Sequence, residues 1–186
     1  MKIVQFETRR AHPSDADDIA VAHRDSIRSV GSGFYPPNVV DDWEEGLTGD
    51  VYVKALEAGE VFFIATGEID GKAAVLGFAT DYCVGGSQHG TSVYVRGNAA
   101  RHGIGSARFQ LAEAHAVAHG ATSIQVEASL AGVEFYEANG FVEVGRGETR
   151  LMSGSPIACV FMRKTLVTAQ PSSSQPPAAD AKEQRG

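Results

Sequence analysis

The residues whose type and spacing most clearly suggest a chemical role are two glycines, Gly103 and Gly105. They lie between a short β-branched strand, Val93–Val95, and a predicted helix. Glycine lets the backbone approach a ligand closely, and the first N–H groups of a helix have no partner within that helix. Such a turn is suited to bind an anion, above all a phosphate. An ordinary strand-to-helix turn uses glycines in the same way, so the pair alone leaves both interpretations open.

Two common phosphate-binding motifs do not fit this segment. A dinucleotide-binding fingerprint needs a third glycine or an alanine where this sequence has Arg108. A nucleotide-binding P-loop needs Gly-Lys-Ser or Gly-Lys-Thr, which the sequence does not contain. The turn also lies in mid-chain, after strands that favour antiparallel pairing. A nucleotide-dependent enzyme that uses the same turn stays as one alternative.

A second pair with possible chemistry, His115 and His119, lies four positions apart on the predicted helix. Two histidines at this spacing can hold a metal ion on one helix face. The intervening residues lack the glutamate of the His-Glu-x-x-His motif, and the sequence indicates no third ligand. We therefore predict no metal site, and assign His119 to the negative end of the helix.

Composition and charge limit the classes of function. The chain has 186 residues, of which 43% are hydrophobic, enough for one domain with a substantial core. It contains neither a visible secretory signal nor an apolar run close to the roughly 20 residues of a membrane helix. We therefore expect a cytoplasmic protein. The formal net charge of −7 argues against nucleic-acid and membrane partners and favours a cationic or neutral small substrate.

The cysteines and the C-terminal composition complete this outline. Cys83 and Cys159 are far apart in apolar sequence, which predicts two buried, reduced thiols. Residues 167–186 are rich in Ser, Pro, Ala and Gln and contain no large apolar residue beyond Val167. We predict a domain over residues 1–166 and a disordered tail over residues 167–186.

Hydrophobic periodicity and turn residues predict both helices and strands around the glycine turn. The predicted helices are residues 16–30, 38–45, 51–58, 104–119 and 131–139. The predicted strands are residues 3–8, 61–66, 73–83, 91–95, 123–127, 141–145, 146–151 and 156–162. Asp70-Gly71 predicts a hairpin turn, and residues 85–90 predict a flexible loop. Tyr35 and Trp43 either line a pocket or hold two short helices against the core.

Residues 100–105, Ala-Arg-His-Gly-Ile-Gly, resemble the central motif of the GNAT superfamily of N-acetyltransferases, Gln/Arg-x-x-Gly-x-Gly/Ala. In that family the motif follows a strand and leads into a helix, as it does here. Ala100 replaces the usual Gln or Arg. The replacement should matter little, because in this family backbone N–H groups of the turn are the main ligands of the acetyl-CoA pyrophosphate.

A downstream segment, residues 129–141, resembles the second signature of the same family, Asn-x-x-Ala-x-x-x-Tyr-x-x-x-Gly-Phe. Tyr136, Gly140 and Phe141 match this signature, whereas Ser129 and Gly132 replace its Asn and Ala. The resemblance extends over about residues 3–166. Four further segments, residues 22–28, 35–43, 127–130 and 150–154, are similar to a bacterial GNAT subgroup whose acceptor substrates are often undefined.

This resemblance implies an α+β fold with a mixed, mostly antiparallel sheet and helices on both faces. The sheet would part beside the long helix, so that acetyl-CoA enters the gap as the acyl donor. Main-chain groups of Val93 and Val95 would meet the pantetheine arm and the thioester oxygen. The implied coenzyme-binding residues are Val93, Tyr94, Val95, Arg101, His102, Gly103, Ile104, Gly105, Ser106, Ser129 and Phe135.

The resemblance also implies direct acyl transfer, in which an uncharged amine attacks the thioester. Tyr136 would act as general acid and protonate the departing thiolate, through a phenol whose pKa is about 10 in model peptides. A purely structural role for Tyr136 in the core is the alternative. Glu127, at a strand end, is the first candidate for a general base, followed by Asp81 and His89. Solvated surface positions are common for all three residue types, and water can carry the proton instead.

The implied function is acetyl-CoA-dependent N-acetylation of a primary amine on a small molecule or a protein. A homodimer is a possible assembly, since GNAT-like domains often dimerise. The alternative from a different class is a non-catalytic acyl-CoA-binding or regulatory module that keeps the turn and lacks productive chemistry. The sequence does not identify the acceptor.

Overall fold

A computed structural model of the chain describes residues 6–166, within which eight strands form one mixed sheet. They are β1 (Glu7–Arg10), β2 (Val61–Ile69), β3 (Lys72–Gly85), β4 (Gln88–Gly90), β5 (Val93–Val95), β6 (Ser123–Ser129), β7 (Val142–Arg150) and β8 (Pro156–Thr165). Their spatial order is β1-β2-β3-β4-β6-β8-β7, with β5 beside β3. All pairs are antiparallel except β4 with β6.

Five α-helices within the same residues cover this sheet on both faces. They are α1 (Ala16–Val30), α2 (Pro37–Glu44), α3 (Gly49–Glu57), α4 (Ile104–Ala118) and α5 (Val133–Ala138). Alternate residues of a strand point to opposite faces. Phe62 and Ile64 of β2 therefore pack with α1 and α3, whereas Phe63 packs with Ala112 of α4. This arrangement is the α+β fold that the sequence predicted.

Two strands of the sheet, β5 and β6, separate in front of α4. Strands β4 and β5 lie one after the other along the same edge of β3, but β4 alone also pairs with β6. The N–H of Thr91, just after β4, still donates to the carbonyl oxygen of Gln125 in β6, at 3.3 Å. Beyond Thr91, β5 has no second neighbour among the strands of residues 6–166. A gap therefore opens between β5 and β6.

Most predicted elements are confirmed within one to three residues at the boundaries. The hairpin turn between β2 and β3 forms where predicted, with positive φ at Asp70 and Gly71. Strand β1 begins at Glu7, and residues 3–5 of its prediction lie outside the described residues. The predicted tail, residues 167–186, lies outside them too. No helix in the described part of the chain is sufficiently long and apolar to span a membrane.

Three predictions are wrong. Residues 85–90 are not simply a flexible loop, because β4 lies there and is held by hydrogen bonds to strands on both sides. Residues 142–150 form one strand rather than two: β7 continues through Gly145 and Arg146, where the prediction separated two strands, and on through Gly147, where a Cβ atom would lie 2.9 Å from the Phe161 ring. Glycine there allows the close packing and does not end the strand. Cys83 is exposed rather than buried, whereas Cys159 is buried as predicted.

Candidate functional site

The gap between β5 and β6 is a cleft of about 310 Å³ next to the first turn of α4, here named the central cleft. Its walls include most of the site residues that the sequence and the family resemblance predict. These are Val93, Tyr94, Val95, Arg101, Gly103, Gly105, Ser106, Glu127, Ser129, Phe135 and Tyr136. The fold thus brings two distant segments of the sequence to one place.

Two predicted contact residues, His102 and Ile104, do not line the central cleft with their side chains. The exposed His102 ring turns back on its own segment, with Nδ1 2.8 Å from the carbonyl oxygen of Ala100. Ile104 is 1% exposed and packs in the core with Ala65 and Leu76. Only the backbone groups of these two residues therefore belong to the turn.

The turn before α4 leaves the first N–H groups of the helix without a side-chain cap. Arg101 and Gly103 both have left-handed backbone, with φ of +61° and +78°. Gly103 is the N-cap of α4, and no side chain caps this helix start. The first hydrogen bond of the helix runs from the N–H of Ala107 to the carbonyl oxygen of Gly103, at 3.0 Å. The N–H groups of residues 104–106 thus have no partner within the helix, an arrangement suited to bind an anion.

Gly105 serves a different purpose from Gly103. A Cβ atom at Gly105 would lie 2.9 Å from Cε2 of Phe135 and 3.5 Å from Cγ2 of Val95. Both neighbours belong to the walls of the central cleft. The absence of a side chain at Gly105 therefore lets α5 and β5 approach the start of α4.

Tyr136 of α5 reaches across to β5. The backbone N–H of Val93 donates to the Tyr136 hydroxyl oxygen at 3.2 Å. Because this oxygen accepts a hydrogen bond from the backbone, the hydroxyl proton is free to point elsewhere. Burial raises the pKa of Tyr136 well above its usual range, so the phenol stays protonated at neutral pH. Its ring also packs against Phe141 in the core, so Tyr136 combines the structural role with a position in the cleft.

One edge of β5 faces the central cleft. Phe78 of β3 pairs with Tyr94, and the N–H of Arg96 donates to the carbonyl oxygen of Leu76 at 2.9 Å. Since backbone groups alternate along a strand, those of Val93 and Val95 point away from β3 into the cleft. The Val93 N–H is already bound to Tyr136, and the Val95 backbone presents the next groups to a ligand.

A second cavity lies over β6, β8 and β7, on the face turned away from α4. It is a groove of about 470 Å³, here named the lateral groove. The central cleft and the lateral groove meet at a common set of residues: Trp43, Ser92, Tyr94, Val126, Glu127 and Ser129. Molecules bound in the two cavities would therefore meet beside Glu127.

Glu127 is an exposed residue of β6 that lines both cavities. The hydroxyl of Thr149, on β7, donates to its carboxylate oxygen Oε2. This bond spans from the central part of the sheet to its edge strand and fixes the orientation of the carboxylate. Among the three candidate bases, Glu127 is thus the one that lines the same cleft as Tyr136.

The other two candidate bases, Asp81 and His89, lie elsewhere and are not surface groups as expected. They are 3% and 6% exposed, and neither lines the cleft or the groove. The two Asp81 carboxylate oxygens lie 2.7 Å from Nδ1 of His89 and 2.6 Å from Nδ1 of His115. This cluster attaches α4 to the sheet. No group of three or more His, Cys, Asp and Glu residues in the described range has the arrangement of a metal site.

Tyr35 lines the lateral groove and also supports it, so both interpretations of this aromatic residue apply. Its hydroxyl donates to the carbonyl oxygen of Ala158 at 2.7 Å and accepts from the N–H of Leu130 at 2.8 Å. The ring packs edge-to-face on Trp43, with centroids 5.5 Å apart. These contacts hold the end of β6 next to β8, where the two cavities meet.

Sequence reasoning gave no role to Thr149, Arg163 or Asp25. Thr149 and Arg163 line the lateral groove, and the alternation of β7 and β8 is the signal that could have placed them on one face. Asp25 of α1 accepts the N–H of Gly97 at 2.8 Å, which holds the segment between β5 and the glycine turn. Nothing in the local sequence predicts that long-range contact.

Comparisons with known proteins identify the family and agree with the fold. Residues 36–166 match a family model described as an acetyltransferase (GNAT) domain, a span of more than half of the chain. No curated protein matches the chain. Many solved structures resemble the chain. The three described next have low sequence identity to it.

A GCN5-related N-acetyltransferase from Rhodopseudomonas palustris has a TM-score of 0.73 and 24% identity, over 89% of this chain and 99% of that one. PaiA N-acetyltransferase from Thermoplasma acidophilum, solved with coenzyme A, has a TM-score of 0.67 and 16% identity, over 87% of this chain and 99% of that one. The yncA acetyltransferase of Salmonella typhimurium, solved with acetyl-CoA, has a TM-score of 0.66 and 16% identity, over 92% of this chain and 99% of that one. The structures agree in fold, and the family model identifies the chain as a member of the GNAT acetyltransferase family.

Proposed function

We propose that this protein is an acetyl-CoA-dependent N-acetyltransferase that transfers the acetyl group directly to a primary amine. The observation that carries the proposal is the meeting of the central cleft and the lateral groove at Glu127 and Ser129, with the Tyr136 hydroxyl in the wall of the cleft. A donor and an acceptor that enter from the two sides would touch at this point. Family membership supports the acetyltransferase reaction.

The central cleft fits acetyl-CoA as the donor substrate. The uncapped N–H groups of residues 104–106 suit its pyrophosphate, and the open space above Gly103, where a Cβ atom would meet nothing within 4 Å, leaves room for it. The free edge of β5 suits the amide groups of a pantetheine arm, which would lie along it as an added strand does. Two of the similar structures were solved with coenzyme A or acetyl-CoA.

Tyr136 would supply a proton to the leaving group. When the amine nitrogen bonds to the thioester carbon, the C–S bond breaks and its electron pair leaves with sulfur. The Tyr136 O–H can protonate that sulfur, and the N–H of Val93 then stabilises the phenolate, since it already donates to the same oxygen. Burial raises the pKa of the phenol, so Tyr136 keeps its proton until the thiolate forms.

Glu127 would accept the proton that the amine must lose, either directly or through water. Its carboxylate is held by the Thr149 hydroxyl and is open to the lateral groove. The reaction balances as one amine converted to an amide, one thioester converted to a thiol, and one proton released when the amine begins as an ammonium ion.

The first test is ligand-dependent stability of the whole chain. Acetyl-CoA well above its dissociation constant should stabilise the folded protein by roughly 2–4 kcal/mol, seen as a higher melting temperature, whereas ATP and NAD should leave it unchanged. Amine-dependent release of thiol from acetyl-CoA then tests catalysis. Stabilisation by ATP or NAD alone would favour a nucleotide-dependent enzyme. Stabilisation by acetyl-CoA without thiol release for any amine would favour the non-catalytic module.

A further inference from the structure

The lateral groove has an uneven distribution of charge that bears on the acceptor. Among the described residues that line it, the charged side chains are Glu127, Arg150 and Arg163. Glu127 lies at the junction with the central cleft, whereas the two arginines line only the groove. From these charges we infer that the acceptor is an amine that also carries an anionic group, a carboxylate or a phosphate, and that Arg163 binds this group. The inference rests on the proposed function.

Arg163 has no ion pair or side-chain hydrogen bond with another residue in the range 6–166. Some exposed arginines do have carboxylate partners, among them Arg9 with Asp15 at 2.7 Å and Arg146 with Glu143 at 2.8 Å. Arg150 is partly engaged as well, because its Nη1 donates to the carbonyl oxygen of Gly154 at 2.9 Å. A guanidinium offers paired donors whose geometry matches a carboxylate or a phosphate. Of the two arginines that line the groove, Arg163 is therefore the one whose guanidinium donors are all available to an anionic ligand.

Strand register places Arg163 and Glu127 on the same face at a useful separation. Glu127 lies opposite Phe161 in the β6–β8 pair, and Arg163 is two residues further along β8, opposite Gln125. Two residues of a strand span about 7 Å, and residues two apart point to the same face. One small molecule can therefore place its amine near Glu127 and an anionic group near the Arg163 guanidinium.

The same charges disfavour polycationic acceptors. A second ammonium group of a polyamine or an aminoglycoside would lie near Arg163 or Arg150 and would be repelled. The net charge of −7 favours cationic substrates at long range, but charges more than about 10 Å away are screened at ordinary ionic strength. Charges within the groove therefore determine the preference.

The test compares matched amines that differ in the anionic group. With saturating acetyl-CoA and the full chain, thiol release is measured for L-leucine against L-leucinamide and for 2-aminoethyl phosphate against 2-aminoethanol. We expect kcat/KM to be at least tenfold higher for the anionic member of one pair, and the pair that shows the preference distinguishes carboxylate from phosphate. Arg163→Gln should reduce that preference roughly 10- to 100-fold, as expected for lost charge-assisted hydrogen bonds. Arg146→Gln, outside both cavities, should retain it.

Equilibrium binding of the same four amines to the CoA-saturated protein separates this inference from the proposed function. If no amine is acetylated but the anionic members bind at least tenfold more tightly, and Arg163→Gln removes the difference, the inference stands and the proposed function fails. If neutral amines or spermidine are acetylated as efficiently as the anionic members, the inference is overturned and the proposed function stands. A preference that persists in Arg163→Gln, or equal binding within both pairs without turnover, also overturns the inference.

Discussion

The central cleft and the lateral groove share a boundary at Glu127 and Ser129, yet they are built in different ways. Backbone groups of β5 and the glycine turn form much of the cleft, so its shape depends on φ angles and on missing Cβ atoms. Side chains from β6, β7 and β8 form the groove, so its chemistry depends on how separate strands align. Backbone sites are set by local sequence, whereas side-chain sites are set by register. The sequence can therefore indicate the proposed donor site more clearly than the proposed acceptor site.

The largest effect is expected when the Tyr136 hydroxyl is removed, because in the proposed mechanism catalysis in the cleft depends on this side chain. Tyr136→Phe should lower kcat roughly 10²- to 10³-fold, because no group then protonates the leaving sulfur. The dissociation constant for acetyl-CoA should stay close to that of the wild type, since in the proposed site backbone groups hold the donor. The Val93 N–H loses its partner, so we also expect a loss of about 1–3 kcal/mol in the free energy of unfolding.

Tyr52→Phe is the matched control for this change. Tyr52 is also buried and its hydroxyl lies 2.7 Å from Nδ1 of His23, but it lines neither cavity. It should lose stability without losing kcat. Equal kcat values for Tyr136→Phe and the wild type would show that Tyr136 is only a core residue.

A second prediction tests the boundary between the two regions. Glu127→Gln keeps the side-chain shape and should lower kcat/KM roughly 10- to 100-fold at pH 7, because the amine then loses its proton without a carboxylate. The deficit should shrink as pH rises, since the free fraction of the amine grows. Rate profiles from pH 6 to 10 measure this, with Glu148→Gln, an exposed residue outside both cavities, as control. A deficit that is absent or independent of pH would assign the proton to water.

The third prediction concerns the support behind Tyr94, which lines both regions. The His23 ring lies against Tyr94, with centroids 3.6 Å apart, and burial lowers the pKa of His23 to about 3. Between pH 6.5 and 3 the unfolded chain binds more protons at His23 than the folded protein. The free energy of unfolding should therefore fall as pH decreases through this window, by up to about 1.4 kcal/mol per pH unit.

Urea unfolding at pH 7, 6 and 5 measures this dependence. His23→Phe keeps an aromatic ring against Tyr94 and cannot take up a proton, so its stability should decrease less steeply. Identical slopes for the two proteins would contradict the assignment of a neutral, buried His23.

The smallest effect is expected for a change that crowds the cleft alone. The Cβ of Gly105→Ala would lie 2.9 Å from Phe135, so the ring must shift into the cleft or away from its neighbours. We expect acetyl-CoA binding to weaken by about 1 kcal/mol, roughly fivefold. The KM for the amine should not change. Gly33→Ala, where a Cβ meets nothing within 4 Å, is the control, and an effect on amine KM would show that the two regions are not separate.

Much of the central cleft, the proposed coenzyme site, could be predicted from the sequence because its signals are local. Gly103 marks the left-handed N-cap before α4, and Tyr136 lies at the spacing of a known motif, so both fall in the walls of one cleft. Side-chain direction was less predictable. Ile104 points into the core and His102 folds back on Ala100, since helix packing and a local hydrogen bond decide their positions.

The acceptor side could not be predicted in the same way. Asp81 is a plausible base by residue type, yet β3 buries it against His115 of α4, and no local pattern reveals that partner. Thr149 and Glu127 are far apart in the sequence and meet only because β7 and β6 both pair with β8. Strand β4 lies in a segment rich in glycine, and it forms because β3 and β6 supply its hydrogen bonds.

The most direct test of this account is a crystal structure of the protein with acetyl-CoA bound. We predict the pyrophosphate against the N–H groups of residues 104–106, the pantetheine arm along the free edge of β5, and the thioester sulfur within hydrogen-bonding distance of the Tyr136 hydroxyl. The acetyl group should face the lateral groove beside Glu127. Acetyl-CoA seated in the lateral groove, or a thioester remote from Tyr136, would contradict the division of the site into a donor cleft and an acceptor groove.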